Sequence, residues 1–331
     1  MITGGAGFVG SHLAEELVKR GRNLVVVDDL SNGRMDNLSA IERQIDFRRH
    51  DITRGLLQIN GLEKLDEIYN LACYPRQISF ANPVRDCEVN LTGTISCLEL
   101  ARKTGAKVLF TSNTGIVSNP QTLPVDETFA PNPLTPYDTN KLASEYMLKA
   151  YHKFYGIRTV SVRFASIYGP RQRVNENLGW RPVIPEFATK VLRGESPVID
   201  GDGKQTRDFL YVKDAVDGVV RAMESGSPEG NSGGVFILGT DREVSINEVY
   251  QAIVKLLNSS LQPKHGPSKG DDIMRMRYNY AKARTTFGFD PRTTVEDGLA
   301  ETIEFLKKET TAPEVPDSPS RPPLDCGGRI S

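Results

Sequence analysis

The sequence predicts an α/β fold, a doubly wound parallel sheet with helices on both faces and a smaller C-terminal α/β lobe. Three observations carry that prediction. Short apolar runs rich in β-branched residues alternate with stretches of helical period up to about residue 168. A glycine-rich stretch, Thr3-Gly4-Gly5-Ala6-Gly7-Phe8-Val9-Gly10, opens the first helical stretch. The next strand-like run, Val25-Val26-Val27, ends in the acids Asp28 and Asp29.

In chain order, 24–28, 46–49, 67–72, 107–112 and 158–164 read as strands, because each is a short apolar or β-branched run bounded by polar or turn residues. The segments 11–20, 84–104 and 137–155 read as helices from their apolar spacing. Only Met1 and Ile2 precede Thr3, whereas the strand feeding a glycine loop ordinarily needs about five residues, so we expect the first strand to be clipped. After Gly169 the alternation loosens around Pro170, Pro182, Pro185 and the turn Asp200-Gly201-Asp202-Gly203. Residues 1–168 are thus expected to form the nucleotide domain and 169–309 mainly a substrate lobe. Residues 310–331, with prolines at 313, 316, 319, 322 and 323, are expected to be a disordered tail.

The 331 residues carry 41 basic and 42 acidic side chains, and no basic block predicts nucleic acid or an anionic membrane as partner. We find neither a bilayer-length apolar run nor a signal-type N-terminus, and expect a cytoplasmic protein acting on a small molecule. Cys73, Cys87, Cys97 and Cys326 lack metal-type pair spacing and read as buried or free thiols, so no metal site is expected.

Gly4, Gly7 and Gly10, with Phe8 and Val9 between them, form a loop whose missing Cβ atoms let backbone amides and a helix N-terminus approach a pyrophosphate. Asp28, with Asp29 beside it, can accept hydrogen bonds from ribose hydroxyls and would repel a 2′-phosphate, which favours NAD over NADP. Asp51-Ile52 either flanks the adenine or simply ends a strand in a turn. Tyr137 and Lys141 lie four apart on one helical face, and a phenol beside an ammonium is a tunable acid/base.

Five further stretches complete a pattern: Asn70-Leu71-Ala72, Asn90-Leu91-Thr92-Gly93-Thr94, Tyr137-x-x-x-Lys141, Arg163-Phe164-Ala165-Ser166-Ile167-Tyr168-Gly169-Pro170, and Gly201-Asp202-Gly203-Lys204-Gln205-Thr206-Arg207-Asp208-Phe209. With the glycine loop and in this order, from Thr3 to about Lys308, the chain resembles the extended short-chain dehydrogenase/reductases, specifically the sugar-nucleotide epimerases and dehydratases. The resemblance implies a bound NAD that takes a hydride from a nucleotide sugar, a UDP-hexose oxidised at C4, while Tyr137 takes the hydroxyl proton. Lys141 would hold the nicotinamide ribose and depress the Tyr137 pKa. It adds Leu71, Ala72, Asn90 and Phe164 to the cofactor site, and Ser166, Arg181, Arg207 and Arg275 to the substrate site. It also implies a homodimer through the helices around 84–104 and 137–155, with Leu91, Ile95, Leu98, Met147 and Tyr151 as candidate interface residues.

The chain departs from the family at three places. Asn113 stands where a Ser or Thr relays the substrate proton, and an amide cannot relay by simple exchange; Thr114 or Ser112 could substitute, or Tyr137 could act directly. Thr114-Gly115 stands where 4,6-dehydratases carry an Asp-Glu pair, which argues against dehydration and weakens decarboxylation. Arg76 either faces a sugar carboxylate or phosphate or is solvated surface. Near residue 270 the family's Arg is replaced, leaving Lys269, Arg275 or Arg277 as possible diphosphate ligands. The alternatives are a 2-epimerase, dehydratase or ketosugar reductase, and a non-catalytic NAD sensor or scaffold.

Overall fold

A computed structural model describes residues 1–176, 179–268 and 273–311. The proline-rich tail expected at 310–331, Lys269 and Cys326 lie outside the described residues, apart from the two residues that end the last helix. The first half contains strands Ile2–Thr3 (β1), Leu24–Asp28 (β2), Ile45–Arg49 (β3), Glu67–Asn70 (β4), Lys107–Asn113 (β5) and Thr159–Phe164 (β6). Its helices are Phe8–Lys19 (α1), Arg76–Ser79 (α2), Pro83–Cys87 (α3), Gly93–Thr104 (α4) and Pro136–Tyr155 (α5). Beyond them come Ser166–Tyr168 (β7), Val183–Leu192 (α6), Val198–Asp200 (β8), Thr206–Arg207 (β9), Phe209–Tyr211 (β10), Val212–Glu224 (α7), Ser232–Leu238 (β11), Val244–Ser245 (β12), Ile246–Leu256 (α8), Lys264–Gly266 (β13), Ala281–Phe287 (α9) and Val295–Thr311 (α10).

One parallel sheet runs in the order β11-β6-β5-β4-β1-β2-β3. Successive side chains on a strand point to opposite faces, so neighbours such as Val26 and Val27 enter different cores. Val26 and Leu109 pack with Leu13 and Leu17 of α1 and Val219 of α7. Val27, Val108 and Phe110 pack with Leu98 and Ala101 of α4 and Leu148 of α5. A third core, around Phe187, Val191, Ile199, Val249, Ile253 and Leu299, fills the C-terminal lobe. The chain also returns from that half to place β11 beside β6.

The strand order reverses between β1 and β4, and at such a switch point a crevice opens beyond the carboxyl ends of the strands. β1 has only two residues, both fully buried and paired on both sides. The stretch expected as one helix over 84–104 is one helical run from Pro83 to Thr104, with a widened turn at Glu88–Thr92 between α3 and α4. That turn sends the Asn90 side chain back to Tyr74, whose N–H donates to Oδ1 at 3.1 Å and whose carbonyl accepts from Nδ2 at 3.0 Å. Such π-type turns recur at functional sites. Two candidate interface residues need correction. Leu98 is fully buried and Tyr151 is 8% exposed, both inside the second core of the protomer itself, so neither is spare surface for a partner.

Candidate active site

The glycine loop lies at the switch point and is shaped by close approach. Gly4 has φ +69°, and a Cβ there would lie 2.7 Å from the Ala72 backbone nitrogen. A Cβ on Gly10 would run into the Gly4 carbonyl oxygen and sit 2.8 Å from Gly5 Cα. Gly7 caps α1 without a side chain, and the first turn holds no acid, so its amides are left to an outside anion. Phe8 and Val9 turn their side chains into the C-terminal core, and what they offer a phosphate is backbone. Thr3 Oγ1 donates to Asn70 Oδ1 at 2.8 Å, and the Leu71 N–H donates to the Thr3 carbonyl; together they fasten the end of β4 to the loop. These residues fit a dinucleotide pyrophosphate.

Asp28 is 6% exposed; its two oxygens accept from the Ala6 and Leu30 amides at 2.9 and 2.8 Å. Burial pushes this carboxyl up to about 6 against those two bonds. Asp29, partly exposed, accepts from Ser31 N and Oγ. Burial works to raise the Asp51 carboxyl, but the bonds from Thr53 and from Arg85 Nη2 at 2.7 Å hold it below its usual range. Ile52 is buried under α4, its side chain against Gly93.

Tyr137 and Lys141 sit on the first turns of α5, which starts at Pro136 behind the Thr135 cap. Lys141 is 1% exposed; Nζ donates to the Thr111 carbonyl at 2.9 Å and lies 4.6 Å from the Phe110 ring and 5.6 Å from the Tyr137 ring. Burial pushes this ammonium down. The Tyr137 ring is half-buried, and its Oη lies 3.6 Å from Cys73 Sγ. Burial, then Cys73, pushes the phenol well above its usual range. The resemblance gives Lys141 the opposite effect on Tyr137, and here burial outweighs it.

The expected relay position is occupied differently. Thr114 Oγ1 donates to the Phe164 carbonyl at 3.0 Å, and Ser112 Oγ is buried with no partner among the described residues. Asn113 Oδ1 faces Gly115, where a Cβ would lie 2.6 Å from it and 2.8 Å from Asp138 Oδ1. Of the substrate candidates, Ser166 is half-buried in β7, its N–H on the Asp208 carbonyl. Arg207 Nη1 donates to the Thr206 and Ile273 carbonyls. Arg76 Nε donates to Asp138 Oδ2 at 3.3 Å. Arg181 is exposed near Glu176, and Arg275 makes a two-point pair with Glu243 at 2.9 and 2.5 Å. Arg277 is paired to Asp241. A cavity of about 440 Å³ beside β11 is lined by none of these residues.

Three contributors were missed from sequence. Asp138 is fully buried beside Tyr137; a Thr three residues before an Asp at a helix start signals a cap, but not its burial. Cys73 at the Tyr137 hydroxyl has no local signal. Arg85, which reaches Asp51 and Thr53 and comes within 3.9 Å of Asp29, is a basic residue at a helix start with nothing in its spacing to mark it.

A glycine-lined helix N-terminus, an acid at the end of the second strand and a Tyr–Lys pair on one helix define a dinucleotide-dependent enzyme of the doubly wound class. The chain belongs to the NAD dependent epimerase/dehydratase family, whose pattern matches residues 1–239. It is 35% identical over 321 residues to a UDP-glucose 4-epimerase of Mycolicibacterium smegmatis, covering 94% of this chain and 99% of the relative. It is 33% identical to UDP-glucuronic acid decarboxylase 3 of Arabidopsis thaliana, covering 90% and 86%. Among solved structures, the UDP-glucose 4-epimerase of Thermotoga maritima with UDP-glucose superposes with TM-score 0.87 at 32% identity, over 93% of this chain and 98% of that one.

Proposed function

We propose that the protein is an NAD-dependent nucleotide-sugar epimerase that inverts C4 of a UDP-linked hexose through a transient 4-keto sugar. The observation that carries this reading is the placement of Tyr137 and Lys141 at the carboxyl ends of the sheet, beside the glycine loop, with Lys141 fixed on the Thr111 carbonyl. NAD, when bound, supplies the acceptor and later the donor of one hydride. Gly4 to Gly10 would hold its pyrophosphate, Asp28 its adenosine ribose and Lys141 its nicotinamide ribose. Tyr137 Oη takes the sugar hydroxyl proton directly, because the Thr114 hydroxyl is turned to Phe164 and Asn113 cannot pass a proton on. Lys141, its Nζ 5.6 Å from the Tyr137 ring, is the cation whose field would favour phenolate against burial.

Gly115 supports epimerisation over 4,6-dehydration or decarboxylation. A Cβ there would press on Asn113 Oδ1 and Asp138 Oδ1, and the chain carries no Glu where those reactions use one. On this reading residues 1–168 chiefly serve NAD and 169–309 chiefly the nucleotide sugar, with Ser166, Arg207 and, once released from Glu243, Arg275 around it. The protein then works in the cytoplasm as a homodimer, in which half-buried Leu91, Ile95 and Met147 and exposed Phe154 and Tyr155 on α5 would meet a second copy. Tyr137→Phe tests the catalytic reading: turnover of a UDP-sugar should fall at least about 1,000-fold with NAD still bound. Unchanged turnover would remove Tyr137 from the chemistry, and a wild-type protein inert toward every nucleotide sugar would favour the sensor reading.

A further inference from the structure

Three buried acids surround the part of α5 that carries Tyr137 and Lys141: Asp138 and Glu145 on α5 itself, and Asp86 on α3, which packs against it. Two of them have a cation of their own. Asp138 accepts from Arg76, and Glu145 holds Arg163 at two points, 2.8 and 2.7 Å. Asp86, fully buried, has none among the described residues. Its Oδ1 accepts from a neutral amide, Asn140 Nδ2 at 2.6 Å, and its Oδ2 has no partner among those residues. Asn140 is the residue before Lys141, so this bond lays the carboxylate against the turn that carries the ammonium. Lys141, just as buried, donates to a backbone carbonyl and has no ion pair of its own among the described residues.

A buried ammonium and a buried carboxylate, each lacking a close partner, stabilise one another across an interior that screens weakly. Burial pushes the Lys141 ammonium down while Cys73, Asp86 and Glu145 oppose it. Burial, with Asp138, pushes the Asp86 carboxyl up while Asn140, Asn90 and Lys141 oppose. Of the three groups that favour the ammonium, Cys73 counts only as thiolate and Glu145 is matched by Arg163. We propose that Asp86 is the counterion that keeps Lys141 charged, a positioning residue that acts through the ammonium and not on the substrate. Burial, Cys73 and Asp138 come first in raising the Tyr137 phenol, and Asp86 adds to them. Removing the Asp86 charge therefore moves Lys141 and Tyr137 in the same direction. The bare alternative is a tie between α3 and α5 through Asn140, which would leave both titrations where they are.

The test follows Lys141 by carbon NMR in NAD-loaded protein carrying lysine labelled at Cε, the signal being assigned by its absence in Lys141→Met. Asp86→Asn keeps the shape and removes the charge. In it the Lys141 midpoint should fall by about one pH unit, the lower end of what a nearby opposite charge supplies. An unmoved midpoint would overturn the proposal. Should Asp86→Asn not fold, Lys141→Met carries the reciprocal measurement. There the Asp86 carboxyl carbon should titrate at higher pH than in wild type, and an unmoved signal overturns the proposal as well. Only the kinetic arm rests on the epimerase reading. In it the bell-shaped pH profile of kcat in Asp86→Asn should shift as a whole toward lower pH, with KM for the UDP-sugar little changed. A lowered kcat on an unshifted profile would mean a structural tie and overturn the counterion. If no nucleotide sugar is turned over, the epimerase reading fails, and the two NMR titrations still decide the role of Asp86.

Discussion

Replacing Lys141 by methionine should make the protein more stable and almost inactive at the same time. The ammonium is 1% exposed, with one hydrogen bond to the Thr111 carbonyl and two aromatic rings within 5.6 Å. Methionine fills a similar volume and removes a desolvation cost of several kcal/mol. Against that, the lost charge-assisted bond and the unpaired carbonyl cost about 2–4 kcal/mol. The balance at neutral pH is about 1–2 kcal/mol in favour of Met, which for a chain this size raises Tm by about 2–4 °C. The pH dependence gives the sign. Burial depresses the Lys141 pKa from 10.5, with Cys73, Asp86 and Glu145 opposing in part. The folded state therefore binds this proton less tightly than the unfolded state, and wild type loses stability as pH falls below 10.5 toward the folded pKa. Melting curves of apo wild type and Lys141→Met should converge as pH rises from about 7 toward 10, while turnover falls at least about 100-fold. A variant that melts below wild type, or a gap independent of pH, would refute the argument that Lys141 is held at a cost to the fold.

Gly10→Ala must displace backbone, because its Cβ meets the Gly4 carbonyl and Gly5 Cα. Overpacking of this kind costs about 1–3 kcal/mol, and NAD titrated by fluorescence should bind at least about 10-fold more weakly. Gly21→Ala, at φ +73° with nothing within 4 Å, should cost about 1 kcal/mol and leave NAD affinity as it was. Asp28 has a folded pKa of about 6, raised from 3.8 by burial, so its protonated form is favoured on folding. Its contribution to apo stability is present at low pH and lost as pH rises from 3.8 through about 6. NAD needs the ionised acceptor, so its affinity should weaken as pH falls through about 6, and calorimetry across that range would detect it. A flat profile would mean that Asp28 does not hold the ribose as an anion.

Much of the fold was legible because parallel strands covered on both faces leave continuous apolar runs, as in Leu24–Asp28 and Lys107–Asn113, and each glycine of the loop has a steric reason to be there. The widened turn at Glu88–Thr92 was not, because it is tied to Tyr74, whose contact with Asn90 joins distant parts of the chain. Periodicity also could not separate Leu98 and Tyr151, buried in the protomer, from residues kept for a partner, since both kinds of contact want the same apolar spacing. In the site, the residue types at 137 and 141 announced themselves, while the direction of the Thr114 hydroxyl and the burial of Asp138 depend on how the strands and the loop after β4 meet α5. Those are tertiary facts, invisible in local spacing.

The most direct measurement is proton NMR of the NAD-loaded protein in heavy water with UDP-glucuronate, UDP-glucose and UDP-N-acetylglucosamine. Our account predicts a C4 epimer with no deuterium in the ring, because the hydride leaves and returns without exchange. Deuterium in the product would contradict it, since ring exchange requires a proton to be taken from the carbon beside the carbonyl.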